Sequence, residues 1–244
     1  MITSLLLAVA MQVGAAPSWQ SIDQEGIVAT VLQYDIGIAV NLICRGHDLT
    51  LAITGLPPAP ADAKARRLEL NVPGNDLRSS TWTVRAGAAI APAPAIYARR
   101  LRVLDNVTVR TPGSDSEPAR RYELPLPADH SPLDRVLAAC GVSLVSETDA
   151  NFDPAMSSVT WTTPPRIIPP SRLRTGNHAE VTVECLVGTE GQPENCQIVN
   201  EQPENSGFAR AALASIRTGR LGVLDGAPPP VGGKFRTRLT IDID

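Results

Sequence analysis

Three clusters hold residue types that could do chemistry. Asp129, His130 and Ser131 are the elements of a hydrolytic triad, in which a carboxylate orients an imidazole that takes a proton from a nucleophilic hydroxyl. Consecutive residues cannot converge on one another as that relay requires, so the three read as a turn before a helix. Gly232-Gly233-Lys234 suggests a phosphate loop, but no glycine stands at the required spacing upstream, and Phe235 takes the place of the Ser or Thr that would meet magnesium. Glu190 and Glu194 are a carboxylate pair of the kind used in general acid and base catalysis. They fall in or beside a Gly-containing turn, where solvated acids are the ordinary outcome and catalysis would need a pocket. His47, between Gly46 and Asp48, reads as a loop residue. No catalytic, cofactor-binding or metal-binding residue is expected, and the chain is expected not to be an enzyme; a hydrolase or ligand binder in the N-terminal half is an alternative.

The remaining reactive residues are Cys44, Cys140, Cys185 and Cys196. Cys185 and Cys196 lack the close ligand pairs of a zinc site, and the only histidines are His47, His130 and His178. An even cysteine count fits an exported protein with oxidised thiols, and two disulfides are expected. Three connectivities are open. One pair falls in each half of the chain, which favours Cys44 with Cys140 and Cys185 with Cys196.

Composition bounds what these residues can be part of. The chain has 244 residues, 43% of them hydrophobic, enough for one large or two modest cores. A net charge of −3 and nine aromatics (3 Trp, 3 Tyr, 3 Phe) argue against nucleic-acid binding. With 22 prolines and 18 glycines, a long helical bundle is excluded. The opening MITSLLLAVAMQVGAA is uncharged, apolar around Leu5 to Ala10, and has Val13 and Ala15 placed for signal-peptidase cleavage. It is shorter than the roughly 20 residues a bilayer needs. Residues 1–16 are expected to be a signal peptide that leaves no stable membrane anchor once cleaved; uncleaved, it would associate with the inner membrane.

Residues 17–147 are expected to form a mostly β domain. Ile36, Ile38, Val40 and Leu42 alternate, and Leu49 to Thr54, Arg67 to Val72 and Arg99 to Val103 suggest short strands. Ser131 is expected to cap a closing helix with Pro132 at its first position, a stripe of Leu133, Val136, Leu137 and Cys140, and Gly141 at its end. Residues 148–175 read as a proline-rich linker, carrying Pro164, Pro165, Pro169 and Pro170; Trp161, Ile167 and Ile168 would also permit an irregular strand lying on one of the domains. In residues 176–244, Val181, Val183, Cys185 and Val187 share a strand face, Gly188 to Glu194 turns, and Cys196 to Asn200 resumes as a strand. Asn205 or Ser206 can cap a helix with Phe208, Ala211, Ala212, Ser215 and Ile216 on one stripe, stopped by Gly219. Lys234 to Ile243 alternates again, with Phe235, Thr237, Leu239, Ile241 and Ile243 opposite Lys234, Arg236, Arg238, Thr240 and Asp242. The fold expected is α+β: a mostly β N-terminal domain with a closing helix, then a small ββαβ domain.

This last region resembles the TonB C-terminal domain family, the periplasmic end of the machinery that drives outer-membrane receptors. The resemblance covers residues 176–243. It rests on AEVTVECLVGTEGQPENCQIVNEQP for the stapled hairpin, GFARAALASIRTGRL for the Phe-x-x-Ala-Ala helix, and DGAPPPVGGKFRTRLTIDI for the insertion and last strand. It implies a non-enzymatic periplasmic protein that recognises an extended peptide by adding a strand to a sheet edge, in connection with TonB-dependent transmembrane transport. Its implied partner is an outer-membrane TonB-dependent receptor or another envelope protein, with Lys234, Arg236, Arg238 and Thr240 as partner-binding residues. The same arginines would serve equally to keep an edge from pairing, and a central strand is the third possibility. The proline-bearing stretch from Ser157 to Thr175, about twenty residues, spans at most about 60 Å at 3.1 Å per residue. That short reach keeps an envelope scaffold or accessory role, unrelated to transport, as the alternative.

Overall fold

The computed structural model describes residues 17–60, 62–71, 76–113, 118–168 and 178–242. The expected signal peptide, the end of the proline-rich segment (169–177) and Ile243 lie outside them. Eleven elements build the N-terminal domain: β1 (Trp19–Gln24), β2 (Ile27–Gln33), β3 (Ala39–Arg45), β4 (Asp48–Thr54), β5 (Ala65–Leu70), β6 (Arg78–Arg85), β7 (Ala88–Ile90), α1 (Pro94–Leu101), β8 (Asn106–Thr111), β9 (Arg120–Pro125) and α2 (Ser131–Ala139). The strands form one antiparallel sheet in the order β1-β2-β3-β4-β7-β6-β5-β8-β9. Period-two alternation puts Val40, Leu42, Leu51, Ile53, Leu68, Trp82, Val107 and Val109 on one face, and α1 and α2 close over it with Tyr97, Leu101, Leu133, Val136 and Leu137. Inside this core Trp82 donates its indole N–H to Ser80 at 2.9 Å, and Ser80 meets the Tyr97 hydroxyl at 2.9 Å. Burial pushes the Tyr97 hydroxyl up to about 12, so it stays protonated in ordinary buffers.

Two expected strands are corrected. Arg99 to Val103 is the end of α1 and the turn after it, because Pro94 starts a helix and Tyr97, Ala98 and Leu101 bury at helical spacing. A three-residue alternation such as Arg99, Leu101, Val103 fits both periods. Ile36 does not join β3: Gly37 donates to the Tyr34 carbonyl and Tyr34 to the Ile38 carbonyl, folding Asp35 to Gly37 into a turn that leaves Ile36 exposed. The closing helix has its expected stripe, but Ser131 lies inside it. His130 holds the cap position without a side-chain cap bond, and Asp129, one residue earlier, accepts the Ser131 N–H at 3.0 Å. At the other end Val142 donates to Leu137 and Gly141 to Ala138, a Schellman close. The Cys44–Cys140 disulfide then ties α2 to β3.

After α2 the chain is strapped to its own domain. Arg99 clamps Asp149 with two 2.6 Å bonds, Arg100 donates to the Asp149 carbonyl, Arg102 to that of Leu144, and Phe152 packs edge-on against Tyr97. Then come β10 (Val159–Thr163), β11 (His178–Val187), β12 (Pro193–Gln202), α3 (Phe208–Ile216), β13 (Arg220–Val223) and β14 (Lys234–Asp242). A three-stranded antiparallel sheet runs in the order β12-β11-β14, with α3 on the face that carries Ala179, Val181, Val183, Cys185 and Leu239. Between α3 and β14 the chain adds β13, which pairs antiparallel with β10. Part of the proline-rich segment is thus a strand in a sheet, held further by the Trp161 ring against Phe235.

Candidate functional site

The strand order decides how β14 is exposed. It pairs with β11 alone among the described residues, from His178↔Asp242 to Leu186↔Lys234 with no break in register, so it is an edge and not a central strand. Val187 donates to the Gly233 carbonyl at 2.9 Å, which marks that pair as hydrogen-bonded. Antiparallel pairs alternate between bonded and non-bonded, so Phe235, Thr237 and Leu239 turn their backbone groups to β11. Lys234, Arg236, Arg238 and Thr240 turn theirs outward, to the open edge. These are the four residues proposed for binding from sequence, and their side chains are exposed on the face away from α3.

The opposite edge is built differently. Against β11, β12 shifts register between Thr182 and Val183 and again between Glu184 and Leu186, and it begins at Pro193. Bulges and proline interrupt the row of donors and acceptors that an added strand would need. The Cys185–Cys196 disulfide staples β12 to β11 inside that irregular stretch. Of the two edges, only β14 offers an unbroken ladder.

Sequence reading passed over the acids that face the basic row. Glu184 pairs with Arg236 at 2.9 Å and with Lys234 at 3.5 Å, and Glu180 with Arg238 at 3.3 Å. The Arg236 bond, with Lys234 beside it, holds the Glu184 carboxyl below its ordinary range. The signal was available: alternation places Glu180 and Glu184 on the outward face of β11, where an antiparallel basic strand would meet them. The three cations remain largely solvated, with side chains 74%, 59% and 68% exposed in chain order, and such pairs contribute only about 0–1 kcal/mol each. Their consequence lies at the edge itself. A second β14 added antiparallel would set Lys and Arg against Lys and Arg, whereas a neutral or acidic strand meets no such repulsion.

The other singled-out residues are accounted for locally. Glu190 sits in the β11–β12 turn at φ 57° and Glu194 near the start of β12. Gly232 donates to the Val187 carbonyl and Gly233 to that of Pro230, so those amides are committed to the chain and form no phosphate nest. His47 is exposed in the β3–β4 turn, and His178 begins β11. All four cysteines are in disulfides, as the favoured pairing has it. α3 is capped from a distance: Gly207 occupies the cap position at φ 86°, Ser206 accepts the Phe208 N–H, and Glu201 of β12 accepts the Ala209 N–H at 2.8 Å. That bond, with the Ser206 hydroxyl, holds the Glu201 carboxyl low.

Residues 169–238 match the family described as Gram-negative bacterial TonB protein C-terminal. The C-terminal domain is therefore of the TonB C-terminal kind, a domain linked to envelope transport, and the match leaves residues 17–168 unassigned. No curated protein and no solved structure matches the chain.

Proposed function

We propose that this is a non-enzymatic periplasmic protein whose C-terminal domain binds an extended segment of an outer-membrane receptor, or of another envelope protein, by adding it as a strand beside β14. The observation that carries the reading is the unbroken β14 edge, with the backbone groups of Lys234, Arg236, Arg238 and Thr240 turned outward, in a domain that matches the TonB C-terminal family. Backbone hydrogen bonds supply affinity in this mode and alternate side chains supply selectivity. Two disulfides suit an oxidising compartment, and no helix among the described residues is long and apolar enough to cross a membrane. Titration of a labelled receptor peptide, against the chain and against an Arg238→Pro variant, tests the reading. Strong binding lost on the proline substitution supports it; equal binding by both places recognition elsewhere.

A second reading, an envelope scaffold or accessory protein, is favoured by how the two domains are joined. β10 pairs with β13, and Asp225 in the β13–β14 loop accepts from Arg67 at 3.0 Å and Thr81 at 3.1 Å in the N-terminal domain. These contacts hold the binding domain against the first domain instead of at the end of an extended arm. Crosslinking in intact cells, with identification of the captured protein, separates the readings: a receptor supports the first, an unrelated envelope protein the second.

A further inference from the structure

Beneath β14 lies a ring that the family match does not reach. Trp161 of β10 stands 5.5 Å from the Phe235 ring at an interplanar angle of 90°, and its indole N–H donates to the Thr237 hydroxyl at 3.3 Å. The match covers residues 169–238, so this indole comes from the chain that joins the two domains. Its place across the sheet follows from its neighbours. β13 abuts the β11–β12 turn, where a β-carbon on Gly191 would fall 2.0 Å from the Leu221 carbonyl oxygen. β10 is the next strand beyond β13 and pairs with no other among the described residues. The layer under the sheet therefore ends in β10 on the side where β14 is open, and Trp161 is half-buried there.

We propose that Trp161 selects the partner strand: it is the floor on which one side chain of the added segment rests, and it makes the site take an apolar residue at that position. The inference rests on strand addition at β14 and names the chemistry of the strand that is added. Whichever way that strand runs, its side chains alternate between the two faces of the sheet, and residues facing each other across a pair share a face. The residue facing Thr237 points to the side of Phe235, Leu239 and Trp161, and the residues before and after it point to the side of Arg236 and Arg238. Thr237 turns its own backbone groups to β11, so toward the open edge it is a non-bonded position, which in an antiparallel ladder is where facing side chains come closest. The indole has committed its one donor to Thr237 and offers a neighbour carbon surface without a hydrogen bond. An apolar side chain gains by covering that surface, whereas a polar one loses water and finds no partner. On the opposite face Arg236 and Arg238 favour neutral or acidic side chains. The segment recognised is thus an extended run with apolar residues on one face and neutral or acidic residues on the other.

Two synthetic peptides are the probes: acetyl-Thr-Val-Glu-Val-Glu-Val-Thr-amide, and its counterpart with serine for every valine, each titrated calorimetrically into the intact, disulfide-bonded chain. Wild type should prefer the valine peptide by about tenfold. Trp161→Ala should bring that ratio to about one, and Arg238→Pro should bind neither peptide. By nuclear magnetic resonance, the valine peptide should move the Trp161 indole N–H signal, assigned as the one missing from Trp161→Phe, and leave those of Trp19 and Trp82 in place. Should Trp161→Ala fail to fold by circular dichroism, this shift decides alone. Equal affinity of wild type for the two peptides, a preference that survives Trp161→Ala, or an unmoved Trp161 signal overturns the role of Trp161, while loss of binding in Arg238→Pro leaves strand addition standing. No binding of either peptide up to about 1 mM, or binding unchanged in Arg238→Pro, overturns both.

Discussion

A β-carbon on Gly219 would fall 2.4 Å from Cζ3 of the Trp161 indole, so α3 is followed by glycine because β10 lies across it. The sequence suggested this glycine as a helix stop. The backbone there is not left-handed, and α3 has already ended at Ile216; what excludes a side chain is the packing of a residue 58 positions earlier, in the proline-rich segment. Gly219→Ala should therefore displace Trp161 and destabilise the C-terminal domain by about 1–3 kcal/mol. Urea unfolding followed by tryptophan fluorescence measures it, and an unchanged midpoint would show that β10 is not packed on this domain.

The two disulfides should differ in weight. Cys44–Cys140 closes 96 residues and Cys185–Cys196 closes 11. Loop-closure entropy assigns the first about 4–5 kcal/mol and the second about 3 kcal/mol. Replacing each pair by alanines and comparing guanidinium midpoints checks the order, while peptide mapping without reduction checks the pairing itself.

Glu201 should make the C-terminal domain sensitive to acid. Its folded carboxyl lies below the ordinary value, so its contribution is fully present above about pH 4.3, the ordinary glutamate value, and is lost as pH falls through the lower folded value. Glu201→Ala should cost about 1 kcal/mol at neutral pH, as loss of a helix cap does. Glu201→Gln should flatten the acid limb of the stability curve. Thermal melts between pH 3 and pH 7 separate the two; equal acid limbs in wild type and Glu201→Gln would remove Glu201 from the account.

The binding edge should answer to backbone chemistry more than to side chains. Arg238→Ala should weaken a receptor peptide by only a few fold, since its ion pair with Glu180 is solvated. Arg238→Pro removes an outward donor and should abolish strand addition while leaving the β11 pairing intact. Isothermal titration on variants shown to be folded by circular dichroism gives both numbers. Equal loss in the two would make the arginine charge the determinant.

What the sequence by itself determined was short in range. Alternation from Ala179 to Val187 and from Lys234 to Thr240, the stripes of α2 and α3, and the division of four cysteines into a pair for each half are all properties of neighbours in the chain, and each survives in the fold. Where local patterns were degenerate, as from Arg99 to Val103, packing chose the helix by burying Tyr97, Ala98 and Leu101. Only the tertiary structure decided that β14 is an edge, that β12 is bulged beyond use as one, that Glu201 caps α3 from a strand, and that β10 joins β13. Periodicity reports which side of a strand is buried and nothing about which strand lies beside it. Strand order, register shifts and caps borrowed from other elements depend on contacts between residues far apart in sequence, and those form only when the whole chain has been brought together.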